Sequence, residues 1–300
     1  MSLLFPGLAL PTTVVGSYPV VTGKGFSGIL DPFRAAVRTA VSDQLAAGID
    51  IISDGQVRGD MVKIFTSRLP GMRGTEVIGK VSPPESPITL GDTRYAIGRA
   101  PRVKGIITGP TTLSFALHIS TPVYRDRQDL AMDLATALAQ EVHSLAQAGA
   151  AIIQIDEPIL STGIADLASA KAALEVLVRG IKVPVCLHVC GDLTPVIGDL
   201  VHMPVGILDF EFAKSPGNLA LCSGMDFGKK MIGFGCVDSS APFAEPADTI
   251  RSRIETALEV FSPEQLLIDP DCGLRMLQRE TAYLKLTRMV EAVADVRKQL

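Results

Sequence analysis

Three short stretches of this chain end in side chains that bind metal ions. His188 and Cys190 lie two residues apart, and Cys272 closes the run Asp269-Pro270-Asp271-Cys272. Residues two apart on an extended segment point the same way, so His188 and Cys190 can face one ion together. Glu211 offers a carboxylate from a third stretch. Zinc accepts such a mixture of imidazole, thiolate and carboxylate in tetrahedral geometry, and a position left open for substrate makes the site catalytic. An isolated cysteine is ordinarily a small buried hydrophobe. Two cysteines and a histidine, each closing a strand-like run, favour the metal. Cys186, Cys222 and Cys236, with His118, His143 and His202, lack that context and read as packing or surface residues.

These donors can meet only if the chain brings distant segments to one rim. Eight short apolar, β-branched runs alternate with helix-periodic ones: Thr12 to Val15, Ile49 to Ser53, Val103 to Thr108, Ala151 to Ile155, Val183 to Val189, Gly206 to Phe210, Met231 to Gly235 and Leu266 to Ile268. Repeated βα units of this kind build a parallel sheet, and eight of them close into a barrel. The expected fold is therefore a single-domain α/β protein, a (β/α)8 TIM barrel, whose functional side chains gather at the carboxyl ends of the strands. His188, Cys190, Glu211 and Cys272 all follow such ends. So do Asp156 and Asp238, each of which is either a rim carboxylate or the cap of a following helix.

Helix signals agree with this frame. Asp31 and Pro32 open a segment with Phe33, Ala36, Val37, Ala40 and Val41 on one face, and Gly48 ends it. Leu130, Leu134, Leu138, Val142 and Leu145 repeat at helical spacing before Gly149. Residues 56–102 break the pattern. This Gly/Pro-rich excursion is too long for an ordinary connection and is expected to cover one barrel end.

Composition excludes several classes. A hydrophobic fraction of 47% supplies core material, and a net charge of −4 gives no basic field for nucleic acid. The uncharged stretches Met1 to Gly23 and Gly105 to Tyr124 are broken by prolines and glycines, so neither reads as a membrane span or a signal peptide. Five widely spaced cysteines, an odd number, argue against a disulfide framework and for thiols kept reduced in the cytoplasm.

The strings VVGSYPV at 14–20, DGQVRGDMV at 54–62, ITGPTTL at 107–113, IQIDEP at 153–158, LHVCGDL at 187–193 and DPDCGL at 269–274 make nearly the whole chain resemble the catalytic domain of cobalamin-independent methionine synthase. The resemblance implies zinc held by His188, Cys190, Glu211 and Cys272. It also implies homocysteine contacts at Val15, Gly16 and Ser17 and at Asp156, which would pair the substrate ammonium. A second acidic contact of the family is Gln56 here, one negative charge fewer.

The remaining departures fall on the methyl-donor side. Folate-using members carry an additional N-terminal barrel, a pterin-binding Trp, a Glu where this chain has Thr162, and a proton-donating His where it has Ser240; this chain contains no Trp. That pattern resembles short single-barrel archaeal homologues and implies methylcobalamin or a methylated corrinoid protein as donor. Cobalt(I) leaves unprotonated, whereas a folate nitrogen must gain a proton to depart. Free thiols are weak nucleophiles near neutral pH, and zinc coordination deprotonates them while sulfur stays reactive. The expected reaction is methyl transfer to homocysteine sulfur at the open zinc position, with Asp156 and residues 15–17 holding the amino-acid end. Three other readings stand beside it. Coenzyme M could be the acceptor, although a sulfonate is repelled by Asp156. A zinc hydrolase is disfavoured because two thiolates lower the Lewis acidity of the metal. A zinc- or corrinoid-partner-binding protein without turnover is distinguished only by assay.

Overall fold

A computed structural model describes residue 5 and residues 7–21 and 31–300. The uncharged stretch from Met1 to Gly23 lies partly outside the described residues. Eight extended segments run parallel around a common axis. We number them β1 (12–13), β2 (51–52), β3 (Lys104–Thr108), β4 (Ile152–Asp156), β5 (Val185–Val189), β6 (Ile207–Glu211), β7 (Met231–Val237) and β8 (Leu266–Pro270). β3 to β8 form one six-stranded parallel sheet in sequence order. Its two edges are joined through parallel bridges of Thr12 to Ile268, Thr13 to Ile51 and Ile52 to Val103, so the ring closes as a (β/α)8 barrel.

Alternation along the strands sorts the interior into layers. Ile51, Ile152, Cys186, Ile207, Met231 and Leu267 make an apolar layer at the amino-terminal end, with Phe5 packed beneath it. Two residues further along the same faces come Gln154, His188, Asp209, Gly233 and Asp269, and then Asp156, Cys190, Glu211, Gly235 and Asp271. The interior thus turns from hydrocarbon to ionisable groups toward the carboxyl ends. Burying such groups is costly unless they are paired or hydrogen-bonded, which marks that end as functional.

The outer helices obey the sequence signals. Helix Arg34–Ala47 buries Ala36, Val37, Ala40 and Val41 and ends at left-handed Gly48. Its start differs slightly from expectation: Asp31 accepts from the Phe33 amide and also binds Arg58, so the first helical residue is Arg34. Helix Arg127–Gln147 buries its leucine stripe, and Asp126 caps it by accepting from Asp129 N at 2.9 Å. In the excursion 56–102, segments Met72–Arg73 and Glu76–Val77 form a hairpin whose second strand pairs with His118–Ile119. The small sheet therefore also draws in residues beyond 102. No described helix is long and apolar enough to cross a membrane.

Candidate zinc and thiol site

Parallel register decides which side chains become neighbours. Asp156 on β4 pairs with His188 on β5, which pairs with Asp209 on β6, which pairs with Gly233 on β7. Gly233 leaves room there, since a β-carbon at that position would sit 2.7 Å from the Asp209 carboxyl carbon. Asp209 lies fully buried with Oδ1 3.3 Å from His188 Nδ1, and its other oxygen accepts from Cys186 Sγ at 3.9 Å. A carboxylate behind one ring nitrogen leaves Nε2 for a metal, the usual arrangement around zinc-binding histidines.

His188, Cys190 and Cys272 place their ligand atoms within 4.8 Å of one another. Burial drives the His188 pKa down, but the negative charge of Asp209, together with hydrogen bonding to Asp209, Cys190 and Cys272, more than offsets it and leaves His188 well above the ordinary histidine value. The Cys190 and Cys272 thiols shift each other in opposite directions. A hydrogen bond from Cys190, opposed by burial and reinforced by His188, lowers the Cys272 thiol to about 4, while Cys190 is raised by that same bond and by burial. Neither buried His188 nitrogen makes a regular hydrogen bond, and with Nδ1 facing Asp209 at 3.3 Å it is Nε2 that is left open. Orphaned buried nitrogens call for a missing partner, and a donor set of two sulfurs and one nitrogen fits zinc.

A cavity of about 340 Å³ opens over this cluster, lined by Val15, Ser17, Gln56, Asp156, His188, Cys190 and Cys272, with Met61, Ile64, Pro158 and Met276 as its apolar wall. Gly59, Asp60, Met61 and Ile64 bring the beginning of the excursion into that wall. Three larger hollows of about 420, 530 and 640 Å³ do not touch the thiols. Gly16 has a φ of 152°, and a β-carbon there would meet Ile106. Gly273 is equally constrained by the Ser17 hydroxyl, and Leu274 N donates to Ser17 O at 2.7 Å. The 15–17 turn and the Cys272 turn are thus laced together. Gln56 has a left-handed φ of 42°, its carbonyl accepts from Arg275, and its buried Nε2 has no partner.

Asp156 reaches the cavity floor. Burial raises its pKa to about 6, against the charge of His188 and a hydrogen bond from Gln154. Glu211 lies outside the three-residue cluster, and its Oε1 accepts from Ser215 Oγ at 2.6 Å. Asp238 does not line the cavity; its carboxylate accepts from the Ser240 amide and hydroxyl at 2.8 and 2.7 Å. Three interior residues were not singled out by the motifs. Asp271 accepts from the amides of Phe212, Ala213 and Lys214 and ties the turn after Glu211 to Cys272. Glu157 accepts from Thr111 N and Thr112 N at 2.9 and 2.6 Å at the start of helix Pro110–Ala116. Lys104 is fully buried on β3. A lysine within an otherwise apolar barrel strand was the available signal.

A closed (β/α)8 barrel whose rim gathers two thiols and an imidazole beneath a substrate-sized cavity defines a class, the zinc-dependent methyltransferases. Residues 10–295 match the family model described as cobalamin-independent synthase, catalytic domain, and the chain belongs to that family. The methionine synthase of Methanothermobacter marburgensis is 44% identical over 95% of this chain and 99% of its own length. The Methanocaldococcus jannaschii methionine synthase is 42% identical over 94% of this chain and 97% of its own. Among solved structures, a B12-independent methionine synthase from a Shewanella species in complex with selenomethionine superposes with a TM-score of 0.89. It shares 24% identity and covers 97% of this chain and 99% of that one.

Proposed function

We propose that this enzyme methylates the thiol of homocysteine to give methionine, with His188, Cys190 and Cys272 holding the zinc. The observation that carries the reading is one cavity joining that cluster to Asp156 and the Val15–Ser17 turn. Bound zinc would hold the acceptor sulfur as a reactive thiolate near neutral pH. The chain's own residues do the remaining work. Asp156 supplies a negative charge for the acceptor ammonium, the 15–17 backbone and Gln56 face the amino-acid end, and Asp209 fixes the ring of His188. Glu211, with Ser215 on one oxygen, stands on the next strand as a carboxylate that would serve as a further zinc ligand. Asp238 shapes the rim loop through Ser240. Two archaeal relatives of matching length named methionine synthase support the product, as does the selenomethionine bound in the Shewanella structure. Five free cysteines support a reducing, cytoplasmic setting.

For the donor we propose methylcobalamin or a methylated corrinoid protein, because the described residues of the cavity that could protonate an amine leaving group are engaged otherwise: Cys190 with the metal and Asp156 with the ammonium. Asp60, although burial raises its pKa, is held below the ordinary carboxylate range by amide bonds from Lys63 and Val62. Asp156 is committed to the ammonium, and Ser240 is an exposed partner of Asp238. A missing general acid typically costs about 100- to 10,000-fold in rate. The family description, a cobalamin-independent synthase, lends the corrinoid donor no support and leaves methyltetrahydrofolate as the alternative. Assays with each donor and homocysteine decide between them. We expect about one zinc per chain and turnover with methylcobalamin. Turnover with methyltetrahydrofolate alone would replace the donor and leave the acceptor chemistry intact, whereas zinc retention by a Cys190→Ser/Cys272→Ser variant would remove the metal assignment.

A further inference from the structure

Lys104 is an unusual residue to find inside a barrel. Its side chain is completely buried, and its ammonium lies 3.0 Å from the Val14 carbonyl, 2.7 Å from Gln154 Oε1 and 3.9 Å from Asp269 Oδ2. An ammonium has three donors and no acceptor. The Gln154 atom facing it must therefore be the carbonyl oxygen, which fixes an amide orientation that would otherwise be free to flip. The opposite end of the amide then has only one assignment. Gln154 Nε2 donates to Val15 O and to Asp156 Oδ1, both at 2.7 Å. Each of those atoms is an acceptor, so the chain from ammonium to carboxylate is consistent throughout.

One end of this relay, Asp156, lines the cavity together with Val15; the other, Lys104, is buried in the barrel interior and does not. Lys104 and Gln154 hold the carbonyls of Val14 and Val15, the turn that faces the acceptor, and Gln154 occupies one oxygen of Asp156. The other oxygen is left for an ammonium group. A reversed Gln154 would instead set its carbonyl oxygen against both Asp156 and the Val15 carbonyl, two acceptors facing a third.

We propose that Lys104 is a positioning residue for acceptor selectivity, locking the Gln154 amide so that Asp156 and the Val15 carbonyl are presented to the ammonium of an α-amino thiol. The inference rests on the reading of homocysteine as acceptor and deepens it. The residue touches neither substrate nor zinc.

Calorimetry with the zinc-loaded protein tests this without any methyl donor, comparing homocysteine with 4-mercaptobutyrate, the same thiol acid without its amino group. The wild type should prefer homocysteine. Lys104→Met and Gln154→Met should each cut that preference about tenfold, the scale of one hydrogen bond to a charged group, while affinity for 4-mercaptobutyrate changes little. Because Lys104 acts through Gln154, the double variant should lose little more than either single one. Asp156→Asn should lose at least as much. If Lys104→Met does not fold, Gln154→Met, which keeps the lysine, reads the same ratio. An unchanged ratio in the folded variants, or losses that simply add in the double variant, overturns the role of Lys104. A wild-type ratio near one overturns it together with the assignment of Asp156, and methyl transfer to homocysteine would still stand if it is observed.

Discussion

Asp209 shows how a residue that binds nothing itself governs the metal. Its carboxylate stands 3.3 Å from His188 Nδ1, and although burial pushes its pKa up, the charges of His188 and Lys104 and its hydrogen bonding together hold it below the ordinary carboxylate value. Carboxylates behind a metal-binding histidine typically contribute 10- to 100-fold in metal affinity. Asp209→Asn should weaken zinc binding by about that factor in a chelator competition. Gly233→Ala should do nearly the same without altering any ionisable group, since its methyl carbon would lie 2.7 Å from Asp209 Cβ and Cγ. Unchanged zinc affinity in both variants would show that the His188 ring is held by other contacts.

At the scale of elements, the strand-to-helix turns are held by buried carboxylates that accept from backbone amides. Glu157 follows β4 but anchors the helix that follows β3, through the amides of Thr111 and Thr112. Gly109 has no side chain because a β-carbon there would overlap Glu157. Burial raises the Glu157 pKa from 4.5 to about 7, against the stabilising bonds from Thr112 and Thr111. The folded state therefore binds this proton more tightly than the unfolded state, and stability falls as pH rises from about 4.5 to about 7, then levels off. Glu157→Gln keeps the shape and has no charge to bury. Urea unfolding across that range should show a shallower decline for the variant than for the wild type, and parallel curves would place the proton elsewhere.

For the whole molecule, the weak point is closure, because β1 and β2 contribute only single bridges to the ring. Asp50 reinforces the seam from outside. Its Oδ2 accepts from Thr12 N and Oγ1, both at 2.9 Å, and from Arg297 at 2.7 Å, while Arg297 also reaches the carbonyls of Ala9 and Leu10. The last helix, Arg279–Arg297, thereby clasps the first strand. Removing the shared acceptor leaves several donors unpaired, and Asp50→Ala should cost about 2 kcal/mol and lower Tm by several degrees. A Tm within a degree of the wild type would assign closure to the core alone.

What the sequence determined by itself was the inventory of chemistry and the rhythm of strands and helices. Both are local: His188 and Cys190 share a face through strand alternation, and the stripe from Leu130 to Leu145 follows helical period. The chain's own residues also placed Cys272 at a strand end. Tertiary structure decided the partnerships, because parallel strands sit next to each other only after a helix has intervened. Lys104 meets Gln154 across 50 residues, and His188 meets Asp209 only through the register of β5 and β6. The orientation of Glu211 toward Ser215, the engagement of Asp238 with Ser240 and the lacing of Ser17 to the Cys272 turn were equally unreadable. Each depends on which side chains share a height inside the closed barrel, and no local preference of the chain specifies that height.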